Sequence, residues 1–419
     1  MPPTATSFIT PVGADSRIEY LDILRGISVL FIFTANIPFF SGWIFIGEEG
    51  RLAMSGHVIN EIIEMISLIL IGGKFYSLFS ILFGVGFAIQ YMSAQKANKP
   101  FVAFFGRRMF GLLLIGSLHL FGLWVGDILT LYALLGFVLI AFRKTRDNTL
   151  LIIAVILIIM PVLQWAIMQW TGFFYPYLII GKFQEIWDSM NLPNRDWNGN
   201  GMMSFDPMYM LTSDSLGEWF IINSKWPMVR LALILLEGRM FKVMALFLIG
   251  FWAGKQILSN HLLQNVSFLK KVMYFGFALG IPMNIFRYFT ESQSGDFWVF
   301  MEYFSYAFGV IPMACAYAAA IALWVRRDAT RLSGFGHMGR MALTNYLMQT
   351  AISITIFYGF GFGLAGKVPL WGVMIIMLAI FSFQIMFSKF WLSKFRFGPI
   401  EWIWRQMTYG KIISLRKPS

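Results

Sequence analysis

The sequence has 419 residues, of which 58% are hydrophobic and 13% are charged, roughly half the charged fraction of a soluble domain. Its mean hydropathy of +0.67 and its long uncharged runs exclude an ordinary soluble enzyme. The net charge of +12 raises the question of a nucleic-acid partner. However, the basic residues occur in short clusters between apolar segments, which is the pattern that orients membrane helices. We therefore expect contact with anionic lipid and no binding of nucleic acid.

The apolar segments, taken in chain order, predict about ten transmembrane helices, because about 20 apolar residues span a bilayer. Placing the basic clusters on one side predicts an all-α, polytopic membrane helical bundle with both termini in the cytoplasm. The predicted spans are 26–46, 73–93, 109–125, 128–142, 149–170, 240–258, 272–288, 300–325, 341–362 and 369–392. The chain then divides into an N-terminal membrane region (1–170), an outer loop with interfacial helices (171–239), and a C-terminal membrane region with a basic cytoplasmic tail (240–419).

Two of these spans resemble each other weakly. FYSLFSILFGVGFAIQ (75–90) and FKVMALFLIGFWAGKQ (241–256) share Phe, Gly and Gln at matching positions and run in the same direction. A parallel internal repeat explains the similarity, as in some transporters, and chance agreement between two apolar helices explains it almost as well. GLWVG (122–126) and GFWAG (250–254) are small-xxx-small patterns, which allow helices to approach closely.

Titratable residues inside the spans are the candidates for function, because they are costly in a bilayer. His119 lies in the third span, where a neutral imidazole is a general base or a hydrogen-bonding group between helices. Asp127 follows eight residues later, about 12 Å away along a straight helix. It orients the base if the Gly126 turn shortens that distance, or it caps the fourth span. Lys74, near the start of the second span, is expected to extend outward to water.

The first span carries a second set of polar residues. Asp22 and Arg25 stand at i and i+3 at its cytoplasmic end, either as an ion pair that anchors the helix or as part of an anion clamp, since Arg binds phosphate through its planar fork. Asn36 lies deeper, where its amide either stabilises an oxyanion or bonds another helix.

Motifs of soluble enzymes are absent from the sequence: it has no P-loop, no G-x-S-x-G, no H-E-x-x-H and no dinucleotide fingerprint. Cys315 is the single cysteine, which excludes an internal disulfide and a paired-thiolate metal site. No metal ion is expected.

Five ordered blocks identify a family resemblance. They are R-x4-D-x2-RG…N (17–36), GKFYSLFSILFGVGFA (73–88), RRMFGLLLIGSLH…GDILTLYALLG (107–136), GRMALTNYLMQT (339–350) and FRFGPIEWIWRQMTYG (395–410). Together they resemble the YeiB-like bacterial integral membrane proteins over nearly the whole chain.

The opening block also resembles that of heparan-α-glucosaminide N-acetyltransferase, which moves an acetyl group from cytosolic acetyl-CoA to a sugar across a membrane, and of membrane acyltransferases that modify bacterial surface glycans. In the lysosomal enzyme a catalytic histidine follows the asparagine that corresponds to Asn36, and the nearest candidate here is His57. YeiB-like proteins are not expected to keep that histidine, whereas they hold the His119–Asp127 pair, so we favour His119 as the base.

The resemblance implies a multi-pass acyltransferase of the bacterial cytoplasmic (inner) membrane. It would move an acyl group, such as acetyl, from cytosolic acyl-CoA to an extracytoplasmic hydroxyl or amine on a glycan or lipid, while homo-oligomerisation stays open. His119, Asp127 and Asn36 would be catalytic. The phosphates of the donor would bind at the cytoplasmic residues Asp22, Arg25, Arg107, Arg108 and Arg340. The alternatives are a small-molecule or lipid transporter with a His/Asp proton relay, and a non-catalytic membrane scaffold.

Overall fold

The computed structural model describes residues 18–189, 207–291 and 293–417. The regular elements of this part are helices, apart from one isolated bridge between Phe395 and Arg416. The α-helices, in chain order, are α1 Glu19–Phe40, α2 Glu48–Ala53, α3 His57–Ile66, α4 Lys74–Lys96, α5 Phe101–Gly122, α6 Leu129–Leu139, α7 Asp147–Thr171, α8 Tyr175–Ser189, α9 Pro207–Thr212, α10 Leu216–Leu236, α11 Arg239–Ser259, α12 Val266–Glu291, α13 Asp296–Arg327, α14 Ser333–Arg340, α15 Ala342–Phe357, α16 Leu370–Lys394 and α17 Pro399–Tyr409. The predicted all-α polytopic bundle is confirmed.

Nine helical segments of the described part are long and apolar enough to cross a membrane, with α3 and α4 counted as one continuous segment. Two predicted spans are shorter than expected: α6 has 11 residues and α15 has 16. Their lengths of about 16 and 24 Å fall below the hydrocarbon thickness of ~30 Å. Conversely, α10 is among the nine although its residues were assigned to an outer loop.

Helix α10 lies across the outer end of the bundle, by which we mean the end where α5, α7 and α15 finish and α4, α11 and α13 begin. Near its start, the Asn223 amide donates to the carbonyl of Phe121, close to the end of α5 (3.0 Å). At its other end, the Leu235 carbonyl accepts from Gln164, in the outer half of α7 (2.6 Å). Because both ends contact outer halves of other helices, α10 covers the bundle, as an interfacial helix does. Residues 190–206 of the predicted outer loop lie outside the described residues.

The two similar segments of the sequence cross each other at glycines. A Cβ atom on Gly250 of α11 would lie 2.0 Å from a backbone oxygen of α4 and 3.0 Å from the Cα of Gly84. One turn on, a Cβ on Gly254 would lie 2.5 Å from the Cβ of Ala88. Gly84 matches Gly250 and Ala88 matches Gly254 in the two segments, so equivalent positions of the two segments face one another. The GLWVG pattern behaves differently, because a Cβ on Gly122 would meet open space.

The first turn of α15 is held by a carboxylate from the tail helix α17. Glu401 accepts hydrogen bonds from the backbone N–H groups of Leu343 (2.7 Å) and Thr344 (3.0 Å) and from the Thr344 hydroxyl (2.5 Å). Free N–H groups at a helix start need such acceptors. Glu401 therefore fixes α17 against the cytoplasmic end of α15.

We expect Glu401→Ala to lower the unfolding temperature of the purified protein, because three hydrogen-bond donors lose their acceptor. Each donor that is left buried without an acceptor costs about 1–3 kcal/mol of stability. Burial raises the pKa of the Glu401 carboxyl, so the folded state binds its proton more tightly than the unfolded state does. The stability that Glu401 contributes is therefore fully present at low pH and falls as pH rises through its folded pKa. Thermal unfolding measured over the pH range in which carboxyl groups titrate checks this. The difference in unfolding temperature between the parent protein and Glu401→Ala should increase as the pH is lowered.

Glu48→Ala is the matched control, since Glu48 also stands in a first helical turn but is exposed. Equal losses in the two variants, or a gap that narrows on acidification, would contradict the assigned role of Glu401.

Candidate functional site

A break after Gly122 turns the chain back on itself, so that α5 and α6 form an antiparallel hairpin in which a Cβ on Gly116 would lie 2.6 Å from the backbone nitrogen of Thr130. Residues 123–128 connect the two helices, yet Trp124 and Asp127 in this connection are buried. Helix α10 covers this connection, since the Asn223 amide donates to the carbonyl of Phe121 (3.0 Å).

The break brings together a carboxylate, an imidazole and a hydroxyl. His119 Nδ1 lies 2.9 Å from Asp127 Oδ1, and His119 Nε2 lies 3.0 Å from the hydroxyl oxygen of Thr350 on α15. The three residues are 1%, 2% and 1% exposed. A carboxylate only accepts hydrogen bonds, so a neutral His119 carries its proton on Nδ1, and Nε2 accepts from the Thr350 hydroxyl.

Asp127 makes both of the contacts that its position in the sequence suggested, one to His119 and one to the start of α6. One carboxylate oxygen binds His119, and the other accepts from the backbone N–H of Thr130 (2.7 Å) at the start of α6. The helix break supplies the turn that a straight helix lacks, so the eight-residue separation closes to a direct hydrogen bond. The cap also fixes the carboxylate, which in turn fixes the tautomer of the imidazole.

Aromatic rings surround the imidazole. The centroid of the Tyr346 ring lies 5.2 Å from that of His119, and the Trp124 ring lies 6.2 Å away. The Trp124 indole N–H is buried and has no hydrogen-bond partner within the described residues. An unused buried donor beside a base is available to a charge that develops during reaction.

An apolar cavity of about 570 Å³ lies one helical turn outward from His119. Gly122 and Leu123 line it on the α5 side, and Trp219 and Phe220 line it on the α10 side. The Leu123 N–H bonds to the His119 carbonyl (2.9 Å). The imidazole itself is closed to solvent, so this conformation holds the site shut beneath α10.

Two other predicted residues lie apart from the imidazole. Asn36 is half-buried on α1 and makes no hydrogen bond to His119; one turn later, the Phe40 ring packs 4.5 Å from the Trp124 ring. Asn36 therefore lies one helical turn from a residue that packs on Trp124. His57, the alternative base, is exposed at the start of α3.

The predicted donor-binding residues form a cluster at the cytoplasmic end. Arg25 pairs with Asp22 (2.9 Å). The Arg108 guanidinium stacks on the Trp404 ring, 3.7 Å from its centroid. It also interacts electrostatically with Arg25 and with Arg405 of α17. Three arginines from three helices thus converge, which is an arrangement that suits a polyanion.

Arg340 and Arg107 differ in their placement. The residue before Arg340, Gly339, packs so tightly on α1 that a Cβ there would lie 1.8 Å from the carbonyl oxygen of Asp22, which brings Arg340 to the Asp22 end of the cluster. Arg107 is exposed, about 100° around α5 from Arg108.

Sequence reasoning missed Thr350, Tyr346 and Arg405 as members of these sites. Thr350 and Tyr346 stand inside the block GRMALTNYLMQT and Arg405 inside FRFGPIEWIWRQMTYG, two of the segments that carry the family resemblance. Their position inside these two blocks was the one indication of a functional role that the sequence offered. Their partners are more than 200 residues away along the chain, so no local pattern indicates the contacts.

The chain is similar to proteins whose names assign no function. The family described as "Protein of unknown function (DUF418)" matches residues 246–411. The chain is 30% identical to the "Uncharacterized protein YxaH" of Bacillus subtilis (strain 168), with 96% of this chain and 97% of that protein covered. It is 25% identical to the "Uncharacterized protein YeiB" of Escherichia coli (strain K12), with 93% and 95% covered. No solved structure matches it.

Proposed function

We propose that this chain, which belongs to the YeiB-like family of integral membrane proteins, is an acyltransferase of the bacterial cytoplasmic membrane. It moves an acyl group from cytosolic acyl-CoA to a hydroxyl or amine that reaches the site from outside, on a glycan or a lipid. The observation that carries the proposal is the buried hydrogen-bonded chain Asp127–His119–Thr350.

A carboxylate, an imidazole and a hydroxyl in this order support acyl transfer, because the carboxylate orients the imidazole and the imidazole removes a proton from the hydroxyl. Here the acceptor hydroxyl takes the position of the Thr350 hydroxyl beside Nε2. As the acceptor oxygen bonds to the thioester carbon, its proton passes to Nε2, the C–S bond breaks, and the thiolate leaves with that proton as the CoA thiol. The Trp124 N–H and the Asn36 amide are the donors that we assign to the carbonyl oxygen.

The donor approaches from the cytoplasmic cluster. Acyl-CoA is a polyanion that does not cross a bilayer, so its phosphates bind at Arg25, Arg108, Arg340 and Arg405. Arg108 precedes His119 by eleven residues on α5, or about 16 Å of helix, a distance that an extended pantetheine arm covers. A dry site also suppresses hydrolysis of the thioester.

Proteoliposomes with labelled acetyl-CoA on the cytoplasmic side of the protein test the proposal. We expect label to appear on an acceptor in a membrane extract supplied from the other side, and free CoA to accumulate in parallel. Flux of a solute that needs no acyl-CoA and is lost with His119→Gln would instead establish the transporter with a His/Asp relay.

We expect Arg108→Gln to weaken binding of CoA to the purified protein by about 10- to 100-fold, because one charge-assisted contact contributes about 1.5–3 kcal/mol. The adjacent Arg107→Gln is the matched comparison, since Arg107 is exposed outside the cluster and its loss should change the affinity less than threefold. Isothermal titration in detergent measures both. Equal effects of the two variants would remove Arg108 from the donor site.

A further inference from the structure

A second group of charged side chains stands at the outer end of the bundle, where α10 and α12 end and α4, α11 and α13 begin. Its two lysines are buried, its arginines are partly buried, and one of its carboxylates, Glu291, is exposed. Its cations are Lys74, Arg230, Arg239, Lys242 and Arg287, and its carboxylates are Glu237, Glu291 and Glu302. Electrostatic interactions connect the members: Lys242 interacts with Arg287 and Glu302, and Arg230 with Arg239 and Glu237. We call this group the outer charged cluster.

Tyr306 stands at the centre of the cluster. The Lys242 ammonium lies 3.9 Å from the centroid of the Tyr306 ring, and the Arg287 guanidinium lies 5.2 Å from it. The Tyr306 hydroxyl is hydrogen-bonded to that of Tyr76. An aromatic face attracts a cation but leaves its charge uncompensated, and here one ring faces two cations.

Ion pairing in the cluster is incomplete. Arg239 holds Glu237 through two nitrogens, at 2.7 and 2.6 Å. Arg287 reaches Glu302 through one contact of 3.5 Å. Among the described residues, neither its buried Nε nor the buried Nε of Arg230 has a hydrogen-bond partner. Guanidinium donors therefore point into the cluster unused.

The two lysines of the cluster have even fewer ion-pair contacts than its arginines. Lys242 is 9% exposed and has no ion pair within the described residues. Lys74 is 0% exposed, and its ammonium donates to the carbonyl of Leu68 (2.7 Å). The expectation that Lys74 extends outward to water is therefore wrong.

The cluster therefore contains five cations and three carboxylates. Asp127 also interacts with Arg230 and is a fourth carboxylate, but it is already hydrogen-bonded to His119. Buried charges that lack partners cost several kcal/mol each, so intramembrane cations persist where a counter-ion or substrate compensates them. We propose that the outer charged cluster binds the phosphate group of a phosphate-bearing molecule. If the proposed acyl transfer is correct, that molecule is the acceptor, because Arg230 connects the cluster to Asp127.

Phosphate fits the cluster better than carboxylate does. The positive excess is one to two charges, which matches a phosphate diester or monoester, and guanidinium forks and ammonium groups are the usual ligands of phosphate oxygens. The phosphate has two sources at this depth: the headgroup of an outer-leaflet lipid, or a soluble phosphate ester that enters from outside.

Thermal unfolding of the delipidated full-length protein in detergent tests the proposal. Phosphatidylglycerol, glycerol phosphate, phosphatidylcholine and acetate are added separately at equal ionic strength. We expect phosphatidylglycerol to raise the unfolding temperature by several degrees, because a ligand that binds only the folded state stabilises it. A shift with glycerol phosphate as well identifies a site open to soluble phosphates, and a shift with the lipid alone identifies a headgroup site. Phosphatidylcholine and acetate should shift it little.

Lys242→Met should raise the unfolding temperature without added anion, because an uncompensated buried charge is removed, and should abolish the shift caused by phosphate. Arg287→Gln should likewise reduce that shift. Lys255→Met is the matched control: Lys255 lies at the other end of α11 and is paired with Asp147 (2.9 Å). It should gain no stability and should keep the full phosphate shift.

Three outcomes would overturn the proposal: no shift with either phosphate compound, an equal shift with phosphatidylcholine or acetate, or a phosphate shift that Lys242→Met and Arg287→Gln retain. The measurement does not depend on acyl transfer, so His119→Gln should keep the phosphate shift. Loss of the proposed function and loss of the phosphate site are therefore distinguishable.

Discussion

Replacing His119 with glutamine should lower acyl transfer by about 10²- to 10⁴-fold, the range that a general base contributes. Glutamine retains hydrogen-bonding groups toward Asp127 and Thr350 but lacks a nitrogen that accepts the acceptor's proton. The variant should still be produced and should still bind CoA, because the cytoplasmic arginines lie about 16 Å away along α5. Initial rates in proteoliposomes at saturating donor measure the effect, and CoA titration shows that donor binding is kept.

His57→Gln is the matched control and also tests the rival base. His57 is exposed on α3, so its replacement should leave the rate within about twofold, since a surface change away from a site has little effect. If His57→Gln abolished transfer and His119→Gln did not, the catalytic roles of the two histidines would be reversed.

The Asp127→Asn variant distinguishes the orientation of His119 by Asp127 from the capping of α6 by Asp127. An asparagine oxygen can still accept from Thr130 and cap α6, but its amide presents a donor to His119 and favours the wrong tautomer. We expect nearly normal stability with a loss of rate similar to that of His119→Gln. Thr350→Val should lower the rate less if the acceptor hydroxyl replaces that of Thr350, and as much if Thr350 itself carries the acyl group.

Hydropathy predicted the bundle because burial in lipid constrains composition over long windows, and it identified most spans within a few residues. Hydropathy predicted longer helices than α6 and α15 are, because both segments are apolar although neither helix is long enough to span a bilayer. In α15 the buried face carries Asn345, Gln349 and Thr350, which bond to side chains of other helices. A window average over such a helix does not show which side faces protein.

The candidate site was partly accessible to the same reasoning. His119 and Asp127 were identified because an ionisable residue inside an apolar run is costly. Their hydrogen bond depends on the break after Gly122 and on the cover that α10 supplies, neither of which the apolar pattern indicates. The outer charged cluster was missed because its members come from five helices, and each stands near a helix end, where a charged residue is ordinary.

Gly250→Ala should cause a large loss of stability for the addition of a single methyl group. Its Cβ would lie 2.0 Å from the backbone oxygen of Ile81 and 3.0 Å from the Cα of Gly84, and backbone atoms have no rotamer through which to yield. Overpacking typically costs about 1–3 kcal/mol, and here α4 and α11 must separate along their whole contact. We expect a much lower unfolding temperature and poor recovery of folded protein, measured by thermal unfolding and by size-exclusion chromatography in detergent.

Gly86→Ala on α4 is the matched control for this close approach. A Cβ on Gly86 would meet only the side-chain nitrogen of Gln90, at 3.9 Å, and alanine favours a helix over glycine by about 1 kcal/mol. The control should therefore unfold at or above the temperature of the parent protein. Gly84→Ala, at the matching position of the other segment, should reproduce the loss, because its Cβ would lie 2.1 Å from the carbonyl oxygen of Phe247. Three variants with the same unfolding temperature would show that α4 and α11 do not cross at these glycines.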